Sequence, residues 1–260
     1  MILVIDIGNS NIVLGGMKED KVVFEARIAT DQLKTSDQYG VDIRNILSLF
    51  RINEAEIEGT IIASVVPPVL NNVKNGLFKL TGKEPMVVGP GIKTGLNIHM
   101  DDPASVGSDL IVAAVAAAQK YTPPLILVDM GTATTFSVID ESACYIGGCI
   151  IPGVRLSAEA LSSKAAQLPG IQLDAPGKVI GKNTVEAMRS GIMYSAADMV
   201  DGMIRRMEEE LGKTATVIAT GGIAQFIIPL CQRKVVLERE LLLRGLNIIY
   251  KKNIKKSKDA

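Results

Sequence analysis

One histidine, three cysteines and no excess of either charge narrow the field before any motif is read. The 28 basic residues balance the 28 acidic ones, so no net field draws the surface toward nucleic acid or anionic lipid. Small-molecule partners are favoured. Cys144, Cys149 and Cys231 form no Cys-x-x-Cys pair, which speaks for free thiols in a reducing compartment and against a disulfide framework or zinc site. No apolar run is long and unbroken enough to span a bilayer. The opening MILVIDIG reads as a strand and lacks the basic start and long apolar stretch of a secretory signal. A cytoplasmic protein is expected, with neither membrane nor nucleic acid as partner. His99 has no visible partner for general-base work, and the methionines form no stripe at helical spacing. The one concentrated positive run, KKNIKKSK from residue 251 to 258, reads as a solvated tail.

What is present is an ordinary folding composition, 47% apolar and 22% charged, in 260 residues that suit two lobes or one large α/β unit. Residues 2–7 form a continuous apolar run closed by Gly8, the pattern of a buried strand, and 12–16 and 21–29 continue it as a β-meander. Helical spacing follows over 36–49, a strand over 59–65, a helix over 69–80 behind Pro67-Pro68, and a short strand over 85–88. An alanine-rich helix is expected over 105–120, opened by Asp102-Pro103. After Pro123-Pro124 the beginning repeats: LILVDMGTA at 125–133 stands against ILVIDIGNS at 2–10, and strands over 134–140 and 144–151 repeat the meander. This sets lobes of 1–118 and 119–260. The remainder alternates helices over 157–167, 183–211 and 224–230 with strands over 215–219 and 235–237. The apolar face around Met193, Ala197, Val200 and Ile204 suits either a core or a dimer seam, and the sequence does not separate the two.

A strand ending in Asp-x-Gly before small polar residues has a logic for phosphates. Gly8 admits close backbone approach, N–H groups and hydroxyls of the turn hold anionic oxygens, and the carboxylate of Asp6 can hold a metal or its waters. One such loop alone reads as an ordinary strand-to-turn junction. The second, Asp129 to Thr135 (DMGTATT), turns the pair into the expectation of a two-sided phosphate clamp. A third glycine turn, Thr220-Gly221-Gly222, follows an apolar strand, where ribose or base could approach bare backbone.

The order DIGNSN, GSD at 107–109, DMGTATT, GGCIIPG at 147–153, Leu168-Pro169, GKNT at 181–184 and TGG at 220–222 resembles type III pantothenate kinase along nearly the whole chain. The resemblance implies a duplicated actin-like (ribonuclease H-like) α/β fold of the acetate and sugar kinase superfamily, with a nucleotide cleft between two similar lobes. It implies transfer of the ATP γ-phosphoryl group to pantothenate at the start of coenzyme A synthesis, by a homodimer needing Mg²⁺ and K⁺ or NH₄⁺. It assigns ATP to Asp6, Ile7, Gly8, Asn9, Ser10, Asn11, Ile12, Val13 and Thr132, and the monovalent cation to Asp129, with Asp6 a candidate for Mg²⁺. It makes Asp109 the general base, and gives pantothenate the positions Met100, Gly107, Ser108, Asp109, Leu110 and Thr184. For Asp109 the plain alternative is a helix N-terminal carboxylate stabilised by the dipole, and the two roles are compatible.

The acceptor side departs from the family pattern. Where the family reads Tyr-Asp-Asn-Pro and Gly-Ala-Asp-Arg, this chain has Met100-Asp101-Asp102-Pro103 and Gly107-Ser108-Asp109-Leu110. Leu110 supplies none of the donors of a guanidinium, and Met100 replaces a phenol with flexible apolar surface. Ser137 stands where an acidic residue commonly follows Phe. Arg155, Lys164 and Arg189 are candidates to compensate, or simply solvated charges. Two other readings stay open: a kinase of this fold for another small hydroxylated acceptor, and a nucleotide-binding paralogue with a regulatory role.

Overall fold

The computed structural model describes residues 1–254, so the end of the basic run, 255–258, lies outside the described residues. The chain divides into two compact units. The first comprises Met1–Leu96, Asp101–Gln119 and the chain from Glu240 onward; the second comprises Asn97–Met100 and Lys120–Arg239.

In the first unit, β1 (Ile2–Ile7) lies between β2 (Asn11–Lys18), antiparallel to it, and β4 (Gly59–Ser64), parallel to it. β3 (Lys21–Ala29) and β5 (Met86–Val87) complete the order β3-β2-β1-β4-β5. β1 is central because its sequence is apolar on both faces, the signature of a strand covered on both sides. Leu3, Ile5 and Ile7 pack on Tyr39, Ile43 and Leu47 of α1 (Ser36–Leu49) and on Val69, Val73 and Leu77 of α2 (Pro67–Thr81). Thr35 caps α1 through a capping box with Gln38. α2 begins on Pro67 itself, because proline's missing N–H belongs to a first turn that has no acceptor for it.

The other face holds Val4, Ile61 and Ala63 against Val112 and Val115 of α3 (Ser108–Lys120) and Leu243, Leu246 and Ile249 of α7 (Leu241–Ile254). α7 has no counterpart among the helices the sequence predicts, and it groups with the first unit although the predicted lobes place residues 119–260 together. Its apolar residues need a sheet face to bury, and its polar ones fix which. Asn247 donates to Glu19 O at 2.8 Å, Arg244 to Asp20 O at 3.2 Å, and Lys251 pairs with Asp20 at 2.8 Å, so successive turns of α7 clasp the β2–β3 turn. Leu246 is fully buried there. Leu246→Ala is expected to lower unfolding free energy by about 2–5 kcal/mol in a urea melt; a change below about 1 kcal/mol would show that α7 contributes little to this core.

The second unit is built on β7 (Leu125–Met130), β8 (Ala133–Ile139), β9 (Cys144–Pro152), β10 (Thr216–Thr220) and β11 (Val236–Leu237), with the two-residue β6 (Asn97–Ile98) added beside β9. Without β6, the order β9-β8-β7-β10-β11 reproduces β3-β2-β1-β4-β5 with the same directions: β7 is antiparallel to β8 and parallel to β10. The repeat therefore spans five strands, two more per copy than the meander visible in sequence. Asp6 lies opposite Val13 and Ala63, and Asp129 opposite Thr135 and Thr220, so the two carboxylates occupy equivalent places in their sheets. One face of the second sheet packs on α5 (Thr184–Leu211), where Met193, Ala197, Val200 and Ile204 are buried with Val128, Met130 and Phe136. The apolar face of that helix is core.

Helix starts shift from the predicted ones for local reasons. Asp102 caps a single 3₁₀ turn, Pro103–Ser105, and the extended backbone at Val106 delays α3 to Ser108. α4 (Val154–Lys164) begins immediately after Gly153 instead of at residue 157, and the helix expected over 224–230 is a single turn, α6 (Ala224–Ile227), continued by a 3₁₀ turn, Ile228–Leu230.

Candidate active site

In the first unit, the turn after β1 is closed by the Gly8 N–H donating to Asn11 O at 3.0 Å. Thr30, just past β3, pins it twice: its N–H donates to Ser10 O at 3.0 Å and its hydroxyl to Gly8 O at 2.6 Å. Asn9, Ser10 and Asn11 are exposed at the tip, while Asp6 is 8% exposed at the base. Of the residues assigned to ATP, Ile7 and Ile12 point into the α1–α2 core and can present only backbone.

The same end of this sheet carries the start of α3. Ser64, the last residue of β4, lies opposite Ile7, and the Val65 N–H donates to Ile7 O at 3.1 Å. The Ser108 hydroxyl accepts from the Ser64 N–H and donates to Ser64 O, both at 3.0 Å. Asp109 follows in the first helical turn, half-buried, with Oδ1 accepting from the Leu110 N–H at 2.9 Å. Burial holds its carboxyl above the ordinary 3.8, with the Leu110 N–H and its own N–H pulling the other way. Leu110 is half-buried beside it. The structure thus gathers residues 6–13 and 107–110 at one edge of one sheet, the carboxyl ends of its parallel strands, where α/β proteins place ligands.

In the second unit, the Gly131 N–H donates to Ala133 O at 3.0 Å, and the Gly153 N–H, between β9 and α4, donates to Thr132 O at 3.1 Å. This turn is one residue shorter than its counterpart. Asp129 is half-buried and Thr132 exposed. Gly221, at φ 97°, lies against the Met130 backbone; its missing side chain serves close packing inside the unit, where sequence suggested room for ribose, and the neighbouring Gly222 is exposed. The His99 N–H donates to Tyr145 O at 2.8 Å, which fixes the chain just before Met100, itself 36% exposed. Ser137 is buried on β8 with its hydroxyl 3.3 Å from that of Tyr145. Thr184 is exposed at the first turn of α5, whose N-cap Asn183 accepts from the Glu186 N–H at 2.9 Å. The acceptor positions therefore divide: Met100 and Thr184 belong to the second unit, Gly107, Ser108, Asp109 and Leu110 to the first.

Among the cations weighed against the loss at position 110, Arg189 is engaged by Asp174 at 2.7 Å and reaches Gln172 O at 3.3 Å. Arg155 and Lys164 are exposed on α4. The cysteines are unpaired, and two are unsuited to nucleophilic work: burial raises the Cys149 thiol, and burial with Asp201 and Asp198 pushes Cys231 up to about 12. Sequence reasoning missed Thr30 and Ser64, whose contacts join residues 22 and 44 positions apart and leave no motif.

Among the described residues no group of three or more His, Cys, Asp or Glu could hold a metal by itself. A single carboxylate at the base of the first turn, Asp6, is compatible with Mg²⁺, which commonly takes one or two carboxylates and completes its shell with phosphate oxygens and water. Two glycine turns at equivalent places in their sheets, with exposed N–H and hydroxyl groups, and a half-buried carboxylate are parts that suit phosphoryl transfer to a hydroxyl.

The model of the type III pantothenate kinase family matches residues 2–206. A type III pantothenate kinase from Exiguobacterium sp. is 48% identical over 255 residues, covering 98% of this chain and all of the relative. Among solved structures, component A of (R)-2-hydroxyglutaryl-CoA dehydratase from Acidaminococcus fermentans superposes with a TM-score of 0.56 at 14% identity, over 98% of each chain. A ROK family glucokinase from Streptomyces griseus, solved with glucose and AMPPNP, does so with a TM-score of 0.50 at 13% identity, over 97% of this chain and 99% of its own. At such identities these two speak for the fold alone, which they place among the actin-like ATPases and sugar kinases.

Proposed function

The chain belongs to the type III pantothenate kinase family, and from that premise we propose that it transfers the γ-phosphoryl group of ATP to the hydroxyl of pantothenate, the step that opens coenzyme A synthesis. The observation that carries the residue assignment is the gathering of the Asp6–Val13 turn and Asp109 at one end of the first sheet. The backbone N–H groups and polar side chains of Gly8 to Asn11 hold phosphate oxygens, and the resemblance also gives ATP Thr132, on the second unit's turn. Asp6 is the residue that would hold Mg²⁺, and Asp129 the one that would hold K⁺ or NH₄⁺; bound cations neutralise the charge of the phosphates. Asp109 Oδ2, whose partner oxygen is occupied by the Leu110 N–H, accepts the hydroxyl proton as the phosphoryl group departs. Little covalent work falls to the protein beyond that, so orientation of the two substrates supplies most of the acceleration.

The resemblance gives the acceptor Gly107 and Leu110 of the first unit and Met100 and Thr184 of the second. Leu110 gives the pantothenate carboxylate no donor, and of the three cations weighed against that loss Arg155 and Lys164 are exposed. No described helix is long and apolar enough to cross a membrane, and a cytoplasmic location follows from the substrates. The protein works as a homodimer: Ile150 is 75% exposed on β9, and Ile146, Leu156 and Leu161 of the same unit are exposed as well, more apolar surface than a monomer usefully shows water. Sedimentation giving only the monomer mass at micromolar protein would overturn the dimer.

The test of the function is ADP release with Mg²⁺ and pantothenate, which is expected to depend on pantothenate and to rise when Na⁺ is exchanged for K⁺ or NH₄⁺. Release with another hydroxy acid but none with pantothenate would move the acceptor assignment to that compound, the reading that Met100 and Leu110 favour. ATP binding without ADP release for any acceptor would leave a nucleotide-binding protein and sink the kinase.

A further inference from the structure

The side chain of Ser108 stands in the group that resemblance gives to pantothenate, yet its hydroxyl is already engaged. It accepts from the Ser64 N–H and donates to Ser64 O, each at 3.0 Å, so its single proton and one lone pair are committed to the end of β4. Ser64 in turn is fixed on both sides. It lies opposite Ile7 at the end of β1, with the Val65 N–H on Ile7 O at 3.1 Å, and its own hydroxyl accepts from the Val66 N–H at 3.1 Å. Ile7 immediately precedes Gly8, where the phosphate turn begins. The path from that turn to the carboxylate of Asp109 is therefore one strand pairing and one side chain long, and every link is a hydrogen bond to backbone.

Helix α3 has little else to fix its first turn. The 3₁₀ turn before it is exposed, the residues 101–105 are exposed, and the apolar packing of α3 begins at Ile111, the last residue of its first turn and two positions beyond Asp109. Packing of Val112 and Val115 fixes the body of the helix; it does not determine how the first turn sits over the edge of the sheet. A hydroxyl holding both the N–H and the C=O of one residue removes that freedom, because the two bonds together set direction as well as distance.

We propose that Ser108 is a positioning residue, a latch that holds the first turn of α3, and with it Asp109, in fixed register with the phosphate turn on β1. This rests on the reading of Asp109 as the general base. Ser108 does not touch substrate in this arrangement; it acts through Asp109. Loss of the latch leaves the phosphate turn intact, since Thr30 pins that turn independently, and lets the base wander from the hydroxyl it serves. Misplacement of a reacting group by about 1 Å is enough to reduce rate on the order of 10²-fold.

The experiment compares the parent enzyme with Ser108→Ala, Ser108→Thr and Asp109→Asn in steady-state ADP release, varying ATP and pantothenate separately. Ser108→Ala is expected to lower kcat about tenfold or more while the KM values for ATP and pantothenate stay within about twofold. Ser108→Thr keeps the hydroxyl and is expected to recover kcat to within about threefold of the parent. A raised KM for pantothenate with kcat preserved in Ser108→Ala would make Ser108 a substrate ligand and overturn the latch, as would an unchanged kcat. If Asp109→Asn retains the parent rate, the assignment of the base fails, and the latch with it; if Asp109→Asn is impaired and Ser108→Ala is not, the base stands and only the latch falls. Ser108→Cys, whose thiol is a weak donor and acceptor, gives the same reading if the alanine variant does not fold.

Discussion

Asp109→Asn is expected to lower kcat/KM for pantothenate phosphorylation on the order of 10²- to 10⁴-fold, the usual contribution of a positioned general base. Asparagine keeps the shape and can still accept from the Leu110 N–H, so ATP binding is expected to survive. The pH dependence follows from the same burial. The base works ionised, and burial holds its carboxyl above the ordinary 3.8. Activity of the parent is thus lost as pH falls through that raised value, on the neutral side of where an exposed aspartate would titrate, and the residual activity of Asp109→Asn lacks this limb. Stability carries the opposite sign. The folded protein holds the Asp109 proton more tightly than the unfolded chain does, so its stability from this group is full below 3.8 and declines as pH rises through the raised value. At neutral pH the ionised, half-buried carboxylate is a burden that asparagine does not carry. Asp109→Asn is expected to melt above the parent at neutral pH, with the gap closing in acid. The remaining carboxylates are common to both proteins and cancel in the difference. A melting difference that does not change with pH would mean that burial does not strain this group.

The parts of the site that are legible in sequence are the ones built within a few residues. Asp6-Ile7-Gly8 and Asp129-Met130-Gly131 each combine a buried strand with the turn that ends it, and their likeness to one another announces the duplication. What could not be read is assembled at a distance. Thr30 reaches back 22 residues to Gly8, and Ser108 reaches 44 to Ser64, and neither leaves a spacing that distinguishes it from any other hydroxyl residue. α7 is the plainest omission. LLLRGLNIIYKKNI carries Gly245, a poor helix former, in the middle of its helical spacing. The structure gives that glycine a reason: a Cβ there would stand 2.1 Å from Val112 O, so α7 can approach the backbone of α3 only without one. Which sheet the helix covers is a matter of contacts with the β2–β3 turn more than 220 residues earlier, beyond any local pattern. The acceptor side was hard to read for a different reason. Met100 and Leu110 could be seen to depart from the family pattern, but whether Arg189 was free to compensate depended on Asp174, a neighbour only in space.

Gly153→Ala separates the second phosphate turn from the rest of the fold more sharply than any change within the turn itself. Gly153 has φ −65° and ψ 156°, which alanine adopts without strain, so backbone conformation raises no objection. The objection is contact. A Cβ would stand 2.2 Å from Thr132 O and 2.6 Å from Gly131 O, and both are backbone atoms that no rotamer change can move aside. The same residue's N–H donates to Thr132 O at 3.1 Å, so the bond that pins the turn is the one the methyl group displaces. Either β9 and α4 retreat or the tip of the turn does. The tip is the softer choice, because Gly131 and Thr132 are exposed while Val154 is buried in the core of the unit. Overpacking of this kind is expected to lower stability by about 1–3 kcal/mol. The larger consequence is for ATP: with Thr132 withdrawn, kcat/KM for ATP is expected to fall on the order of 10²-fold. Gly170→Ala provides the control, since a Cβ there meets nothing within 4 Å. A Gly153→Ala enzyme that melts lower than the parent yet uses ATP equally well would remove Thr132 from the nucleotide site. An enzyme impaired for ATP at a near-parental melting temperature would tie the loss to the position of the turn itself, since a general loosening of the second unit would lower both together.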